Sequence, residues 1–155
     1  MSATSPADEA LAAVAAGLAG RLRSLVLALD RLDRLESGSG GWLSSLDDAE
    51  LSEAAAELTL RALRTVADPG NFAVLKALAP ADSQSMGWLI ETTGLGRLAL
   101  SERLNDLVQV GLVTRLIDTD HVQITAAGAG MVHLIEALAA GVIEQYSQRR
   151  KTGDE

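Results

Sequence analysis

The sequence contains no cysteine, and only 3% of its 155 residues are aromatic. Without cysteine the chain can form no disulfide, no thiolate metal site and no thiol redox switch. Apolar residues nevertheless make up 48% of the chain, mainly as Ala, Leu and Val, which suits helices packed on helices. We therefore expect a mainly α protein with one domain and an extension, since this length is ample for a modest core.

Catalytic side chains are also scarce. The sequence has two histidines, no glycine-rich phosphate loop and no paired-carboxylate pattern. This scarcity predicts that the protein is not an enzyme and needs no cofactor.

An uninterrupted membrane-spanning run is missing too. Ala10 to Gly20 is apolar, but this segment is too short to cross a bilayer. It follows Asp8 and Glu9 rather than the basic segment of a signal peptide. We expect a cytoplasmic protein with no membrane contact.

A heptad of leucines marks the N-terminal region. Leu11, Leu18, Leu25 and Leu32 recur every seven residues, a spacing typical of a coiled-coil seam or a bundle helix. The pattern predicts a helix from about Pro6 to Glu36. We interpret it as a dimerisation helix; the alternative is a helix that packs only on its own domain.

A glycine and serine segment, 37–41, ends this helix and predicts a flexible hinge. Trp42 is expected to anchor the returning chain. A second helix is predicted from a capping box at Ser45 and Asp48 to about Thr65. Its predicted buried residues are Leu51, Ala55, Leu58, Ala62 and Val66. Residues 1–65 thus form a predicted N-terminal helical dimerisation region.

Two short helical patterns follow within residues 86–113. Thr93 to Gly96 breaks them apart, and Gly111 is a predicted left-handed C-cap. The predicted inward-facing residues are Met86, Leu89 and Ile90 in the first helix and Leu100, Leu104 and Leu107 in the second. Two short helices joined by a glycine-containing turn are typical of a helix-turn-helix.

The flanking residues resemble the ArsR and MarR families of winged-helix regulators. Upstream, residues 66–69 precede a pattern similar to the first helix of ArsR-type proteins, formed by Phe72, Val74, Leu75 and Leu78. Downstream, 113–117 and 122–125 alternate as two strands around a short wing, and 124–128 resembles the "leucine-threonine-x-x-glycine" step into the last helix.

This resemblance covers about residues 66–145. It implies a mainly α fold with a small two-stranded wing: a winged helix-turn-helix domain over 66–148, after the N-terminal helical extension and before a tail at 149–155. It also implies a homodimeric transcriptional regulator that binds double-stranded DNA.

The resemblance places the start of the second helix of the helix-turn-helix against DNA. Arg97 and Arg103 are candidate guanine contacts, and Ser101 could contact a base or a phosphate. Arg115, in the predicted wing, is a candidate contact to the DNA backbone.

Charge favours a second interpretation. The net charge is −8, and residues 67–145 carry four basic and nine acidic side chains. Leu98, Ala99 and Glu102 replace polar or basic residues that the resemblance leads one to expect, and the wing is acidic. The alternative is therefore a winged helix that has lost DNA binding and contacts a protein partner or the other protomer.

The resemblance also raises the possibility of a zinc site on the last helix. His133 and Glu136 are spaced as half of such a site, but Asp118, Asp120 and His121 lie in the wing. We expect no metal site and interpret His133 as a partly buried helix or dimer-interface residue.

Overall fold

The computed structural model describes residues 4–37 and 47–153. The protein is mainly helical with a small three-stranded antiparallel sheet. Its helices are α1 (Pro6–Ser37), α2 (Asp48–Ala67), α3 (Pro69–Leu78), α4 (Met86–Thr93), α5 (Arg97–Gln109) and α6 (Ala126–Gly153). Its strands are β1 (Ser83–Ser85), β2 (Val113–Leu116) and β3 (His121–Ile124), with a 3-10 turn at Ile117–Thr119 between β2 and β3.

Helix α1 confirms the predicted N-terminal helix and packs along the first half of α6. Small residues let the two helices approach closely. A Cβ at Gly17 would overlap the Cβ of Ala127, and a Cβ at Gly130 would lie 2.8 Å from the carbonyl oxygen of Ala10. The contact therefore depends on glycine and alanine rather than on the heptad leucines.

The heptad leucines mostly face away from the chain's own core. Leu11, Leu25 and Leu32 are 55%, 40% and 55% exposed, while Leu18 is partly buried against the core. Most of the heptad leucines therefore lie on the surface of the single chain.

Helix α2 begins and ends slightly later than predicted. Its N-cap is Asp47, whose carboxylate accepts a hydrogen bond of 2.8 Å from the backbone N–H of Glu50. Ala62 and Val66 are buried as predicted. Leu51 and Ala55 are exposed and Leu58 is only partly buried, because cavities remain between these turns of α2 and helix α1.

The predicted hinge beyond Ser37, together with Trp42 and Ser45, lies outside the described residues. The domain boundary predicted at residues 65 and 66 falls within the last turn of α2.

The main core is formed by α3, α4, α5, β2 and β3, and residues of α1, α2 and α6 pack into it. Phe72 and Ile90 lie at its edge, partly buried. The other predicted core positions are confirmed, with no exposed surface at Val74, Leu75, Leu78, Met86, Leu89, Leu100, Leu104 and Leu107.

The sheet contains a strand that the sequence did not predict. Ser83 begins β1 and is paired with Gln123, so β3 lies between β1 and β2. A turn between α3 and β1 ends at Asp82, which has a φ of 60° and whose carbonyl accepts a hydrogen bond of 2.8 Å from the N–H of Ile124. The sequence therefore predicted the two paired strands β2 and β3, and it missed the third strand, β1.

Helix α6 continues to Gly153, through the boundary predicted at 148 and 149. Its first turns are buried at Ala127, Met131 and Val132. Beyond them an apolar face of α6 continues with three side chains that are more than half exposed: Leu138, Val142 and Tyr146.

Two helical segments, Pro6–Leu32 and Ala126–Gly153, are long and apolar enough to cross a membrane. Length and composition alone are weak support for such a role, because helices that pack on other helices pass the same test. The segment predicted to be too short, Ala10 to Gly20, is therefore part of a longer apolar helix.

Candidate nucleic-acid interface

Helix α4 is capped at both ends before the chain turns into α5. The Ser85 hydroxyl accepts a hydrogen bond of 3.1 Å from the N–H of Trp88, which caps the start of α4. Gly94 has a φ of 73°, a left-handed conformation that favours glycine, and its N–H donates to the carbonyl of Ile90 at 3.0 Å. Gly96 then provides the N-cap of α5. This arrangement sets the direction in which α5 leaves the turn.

The first turns of α5 present their outer side to solvent. Arg97 and Glu102 are exposed, Ser101 is partly buried, and Leu98 is 75% exposed. Two of the four predicted DNA contacts, Arg97 and Ser101, therefore lie in the exposed N-terminal part of one helix.

The tip of the β2–β3 hairpin lies against this part of α5. Asp120 has a φ of 51°, and its carbonyl accepts a hydrogen bond of 3.1 Å from the N–H of Met86 at the start of α4. Its carboxylate lies 3.8 Å from the guanidinium of Arg97. The hairpin thus places a negative charge beside the arginine that the sequence predicted to meet DNA.

Arg103 is placed differently from Arg97. Its guanidinium contacts the carboxylate of Asp68 and lies 3.4 Å from the side-chain oxygen of Asn71. A Cβ at Gly70 would overlap this guanidinium, so the glycine leaves room for it. Arg103 therefore joins α5 to the start of α3, a role that its position in the sequence did not indicate.

The carboxylate of Asp68 accepts hydrogen bonds from several donors. Its Oδ1 accepts from the backbone N–H groups of Gly70 at 2.9 Å and Asn71 at 3.2 Å, which makes it the N-cap of α3. The backbone hydrogen bond from Asn71 has the largest effect on the pKa of this carboxyl and lowers it. Desolvation raises the pKa, and the contacts with Arg103 and Gly70 lower it, so that the pKa lies below its ordinary value. The carboxylate form is thereby favoured in the folded protein.

Arg115 lies apart from the other three candidates. It is partly buried on β2 and lines a cavity of about 690 Å³ between the hairpin and α1. Arg97 and Ser101 therefore lie in the first turns of α5, whereas Arg103 is paired with Asp68 and Arg115 lies on β2.

Apolar side chains are also exposed at this end of the molecule. Leu98 on α5 is joined by Leu116 and Ile117 beside the hairpin tip, which are 40% and 91% exposed. Ile117 was predicted to end a strand, but it begins the 3-10 turn and points away from the core. The alternation of residues 113–117 predicted that Ile117 is an apolar residue of a strand. The sequence therefore did not predict that its side chain is exposed.

The histidine considered for zinc lies elsewhere. His133 is exposed on α6, rather than partly buried, and lines a cavity between α1 and α6 with Glu9 and Glu136. Within 4–37 and 47–153, no group of three His, Asp or Glu side chains is placed to hold a metal ion.

Comparison with known proteins gives a distant likeness. No protein-family model and no curated protein matches the chain. Among solved structures it is similar to ligand-free NadR, with 20% sequence identity and a TM-score of 0.43 over 67% of this chain and 80% of that one. At this distance the likeness does not show a family.

Proposed function

We propose that residues 66–148 form a winged helix-turn-helix, with α5 as the recognition helix and the β2–β3 hairpin as the wing, in a dimeric, non-catalytic, cytoplasmic transcriptional regulator. The observation that carries this proposal is the exposed N-terminal part of α5, directed by the Gly94 turn and flanked by the hairpin tip. A helix presented in this way can enter the major groove of DNA.

The proposed DNA contacts are Arg97 and Ser101 in the groove and Arg115 on the backbone. An arginine can donate two hydrogen bonds to guanine, and a serine hydroxyl can reach a base or phosphate. We assign Arg103 to the support of α5, since its guanidinium already contacts Asp68. Few cations are then left for phosphate, so we expect weak binding that salt reduces strongly.

We propose that a second copy of the chain packs against the apolar faces of α1 and α6. The heptad leucines and the stripe of Leu138, Val142 and Tyr146 are exposed in the single chain. A lipid bilayer is less suitable than a second copy as the surroundings of α1, because Arg21 and Arg23 lie within the apolar stretch of this helix. Two-fold pairing would also double the cations available to DNA.

A second function is favoured by the exposed apolar side chains near α5. Leu98, Leu116 and Ile117, together with the acidic hairpin, suit contact with a protein better than contact with phosphate. In this alternative the same surface binds a partner protein, and Arg97 remains paired with Asp120.

Fluorescence anisotropy with a labelled random duplex distinguishes the two functions. We expect the wild-type protein to bind at low salt, with an affinity that falls linearly in the logarithm of salt concentration. Arg97→Gln should weaken binding, and Arg64→Gln on α2 is the control with the same change of charge.

Absence of binding at low salt by a folded dimer would contradict the DNA proposal. Equal affinity of the Arg97→Gln and Arg64→Gln variants would contradict the role of α5. The protein-contact function would then become the leading proposal, with Leu98→Glu as its test.

A further inference from the structure

Leu98 is a large apolar side chain on the outward side of α5. It is 75% exposed. Within 4–37 and 47–153 it belongs neither to the buried core nor to the partly buried side chains that pack against that core. Packing inside the chain therefore does not account for a leucine at this position.

The position of Leu98 in the helix places it toward DNA bases. Gly96 is the N-cap of α5, so Arg97 and Leu98 are the first two residues of the helix. In a recognition helix the N-terminal residues contact base edges in the major groove. In the proposed complex with DNA, Leu98 therefore lies nearer to base edges than most side chains of α5.

The neighbours of Leu98 on the same side of α5 carry no positive charge. Glu102 and Asn105 follow it one and two turns later, and both are exposed. A carboxylate on this side repels phosphate, so the side is better suited to base edges than to the DNA backbone. Its centre therefore adds no phosphate contact, and what it contributes to binding must depend on the bases.

The bases offer a leucine one apolar group in the major groove. A carboxylate can accept from the amino group of cytosine, and an amide can pair with adenine. An aliphatic side chain can make neither hydrogen bond, but it can contact the C5 methyl group of thymine. Burial of that methyl group against Leu98 would remove apolar surface of both molecules from water.

We propose that Leu98 recognises the C5 methyl group of thymine and thereby sets part of the sequence specificity of α5. This proposal rests on the proposed DNA-binding function. Arg97 directly precedes Leu98 and is the candidate guanine contact, so the preferred sequence should contain guanine next to thymine.

Replacement of thymine by uracil tests the proposal, because uracil lacks the methyl group and keeps the hydrogen-bonding groups of thymine. The probe is a labelled duplex that alternates guanine and thymine on one strand and adenine and cytosine on the other. Its counterpart carries uracil at every thymine position. In fluorescence anisotropy at low salt, the wild-type protein should bind the uracil duplex about fourfold more weakly for each methyl group contacted.

Three variants assign the methyl contact to a side chain. Leu98→Ala should lose the preference for thymine, and Leu98→Met should keep it, because methionine retains an apolar side chain of similar length. Ile117→Ala is the matched control and should also keep the preference, since Ile117 is 91% exposed but lies outside α5. Any effect of uracil on the duplex itself remains in the Leu98→Ala variant, so the comparison of protein and duplex pairs removes it.

The outcomes separate this proposal from the function on which it rests. Equal affinity of the wild-type protein for the two duplexes would overturn the methyl contact and leave the DNA-binding function standing. A preference for thymine that survives Leu98→Ala, or that is lost with Ile117→Ala, would overturn the assignment to Leu98. Absence of binding to both duplexes by a folded dimer would contradict the DNA-binding function, and the methyl contact with it.

Discussion

The guanidinium of Arg103 on α5 contacts the carboxylate of Asp68, which caps α3. The two residues are 35 positions apart in the chain, so this contact joins the proposed recognition helix to the helix that supports it. Asn71 extends the connection, because its side-chain amide donates to the carbonyl of Thr65 at 2.9 Å. The end of α2, the start of α3 and the middle of α5 are thereby linked through polar side chains.

Arg103→Gln should lower the midpoint of thermal unfolding by a few degrees, because it removes the cation that joins α5 to Asp68. Arg97→Gln is the matched control and should leave the midpoint unchanged, since its ion pair is largely exposed. Circular dichroism at the helical signal measures both. An unchanged midpoint for Arg103→Gln, with weakened DNA binding, would instead make Arg103 a DNA contact.

Stability should fall as pH is lowered through the acidic range. The folded-state pKa of Asp68 is below its ordinary value of 3.8, chiefly because Asn71 donates a backbone hydrogen bond to it. The contribution of Asp68 to the free energy of unfolding is therefore complete above the pKa that it has in the unfolded chain. This contribution is lost as the pH falls through the pKa that it has in the folded protein. Asp68→Asn should reduce this dependence in urea unfolding measured between pH 6 and about 3. An identical pH dependence in the variant would contradict the assignment.

The helical part of the fold could be predicted because burial repeats at helical spacing. Leu100, Leu104 and Leu107 are buried in α5 as their spacing predicts, and Gly111 has a φ of 77° where a left-handed C-cap was expected. The short strand β1 could not be predicted in this way. Ser83 to Ser85 is polar throughout, and its pairing with β3 is made by the backbone.

The candidate site could be predicted only in part, for a physical reason. Periodicity identifies which side of α5 is buried, and so leaves Arg97 and Ser101 as outward-facing candidates. It carries no information on which distant carboxylate meets an arginine. The contact between Arg103 and Asp68, and the approach of Asp120 to Arg97, depend on how α3 and the hairpin pack.

Gly128→Ala should destabilise the protein by about 1 to 3 kcal/mol, the usual cost of overpacking. An added Cβ would overlap the carbonyl oxygen of Leu112 and lie 2.8 Å from a side-chain carbon of Ile124. Gly20→Ala is the control, because nothing lies near its Cβ position, and it should stabilise α1 by about 0.5 to 1 kcal/mol. Urea unfolding measures both, and equal stabilities would contradict the close packing at Gly128.

Val142→Glu should dissociate the proposed dimer. Val142 is 62% exposed on α6. Full burial of an exposed valine contributes about 1.5 kcal/mol, so burial of the exposed part in two copies corresponds to about twentyfold in affinity. Leu60→Glu, at a 52% exposed position on α2, is the control. Light scattering over a dilution series measures the mass. A dimer that tolerates Val142→Glu and dissociates with Leu60→Glu would place the interface on α2.

Asp120→Asn should strengthen DNA binding severalfold at low salt, because it frees Arg97 and removes a charge that repels phosphate. Asparagine tolerates the left-handed conformation at this position, where φ is 51°, so the hairpin should fold normally. The slope of the logarithm of affinity against the logarithm of salt concentration should become steeper by about one, because about one more counterion is released on binding.

Asp118→Asn is the control for this last variant. Asp118 lies in the same hairpin, and its substitution changes the net charge equally, but no arginine among the described residues is paired with it. Its effect on anisotropy titrations should be smaller, since only general repulsion is relieved. Equal gains in DNA affinity from the two substitutions would mean that the contact between Asp120 and Arg97 has no role in DNA binding. The acidic hairpin would then weaken DNA binding through its total charge alone.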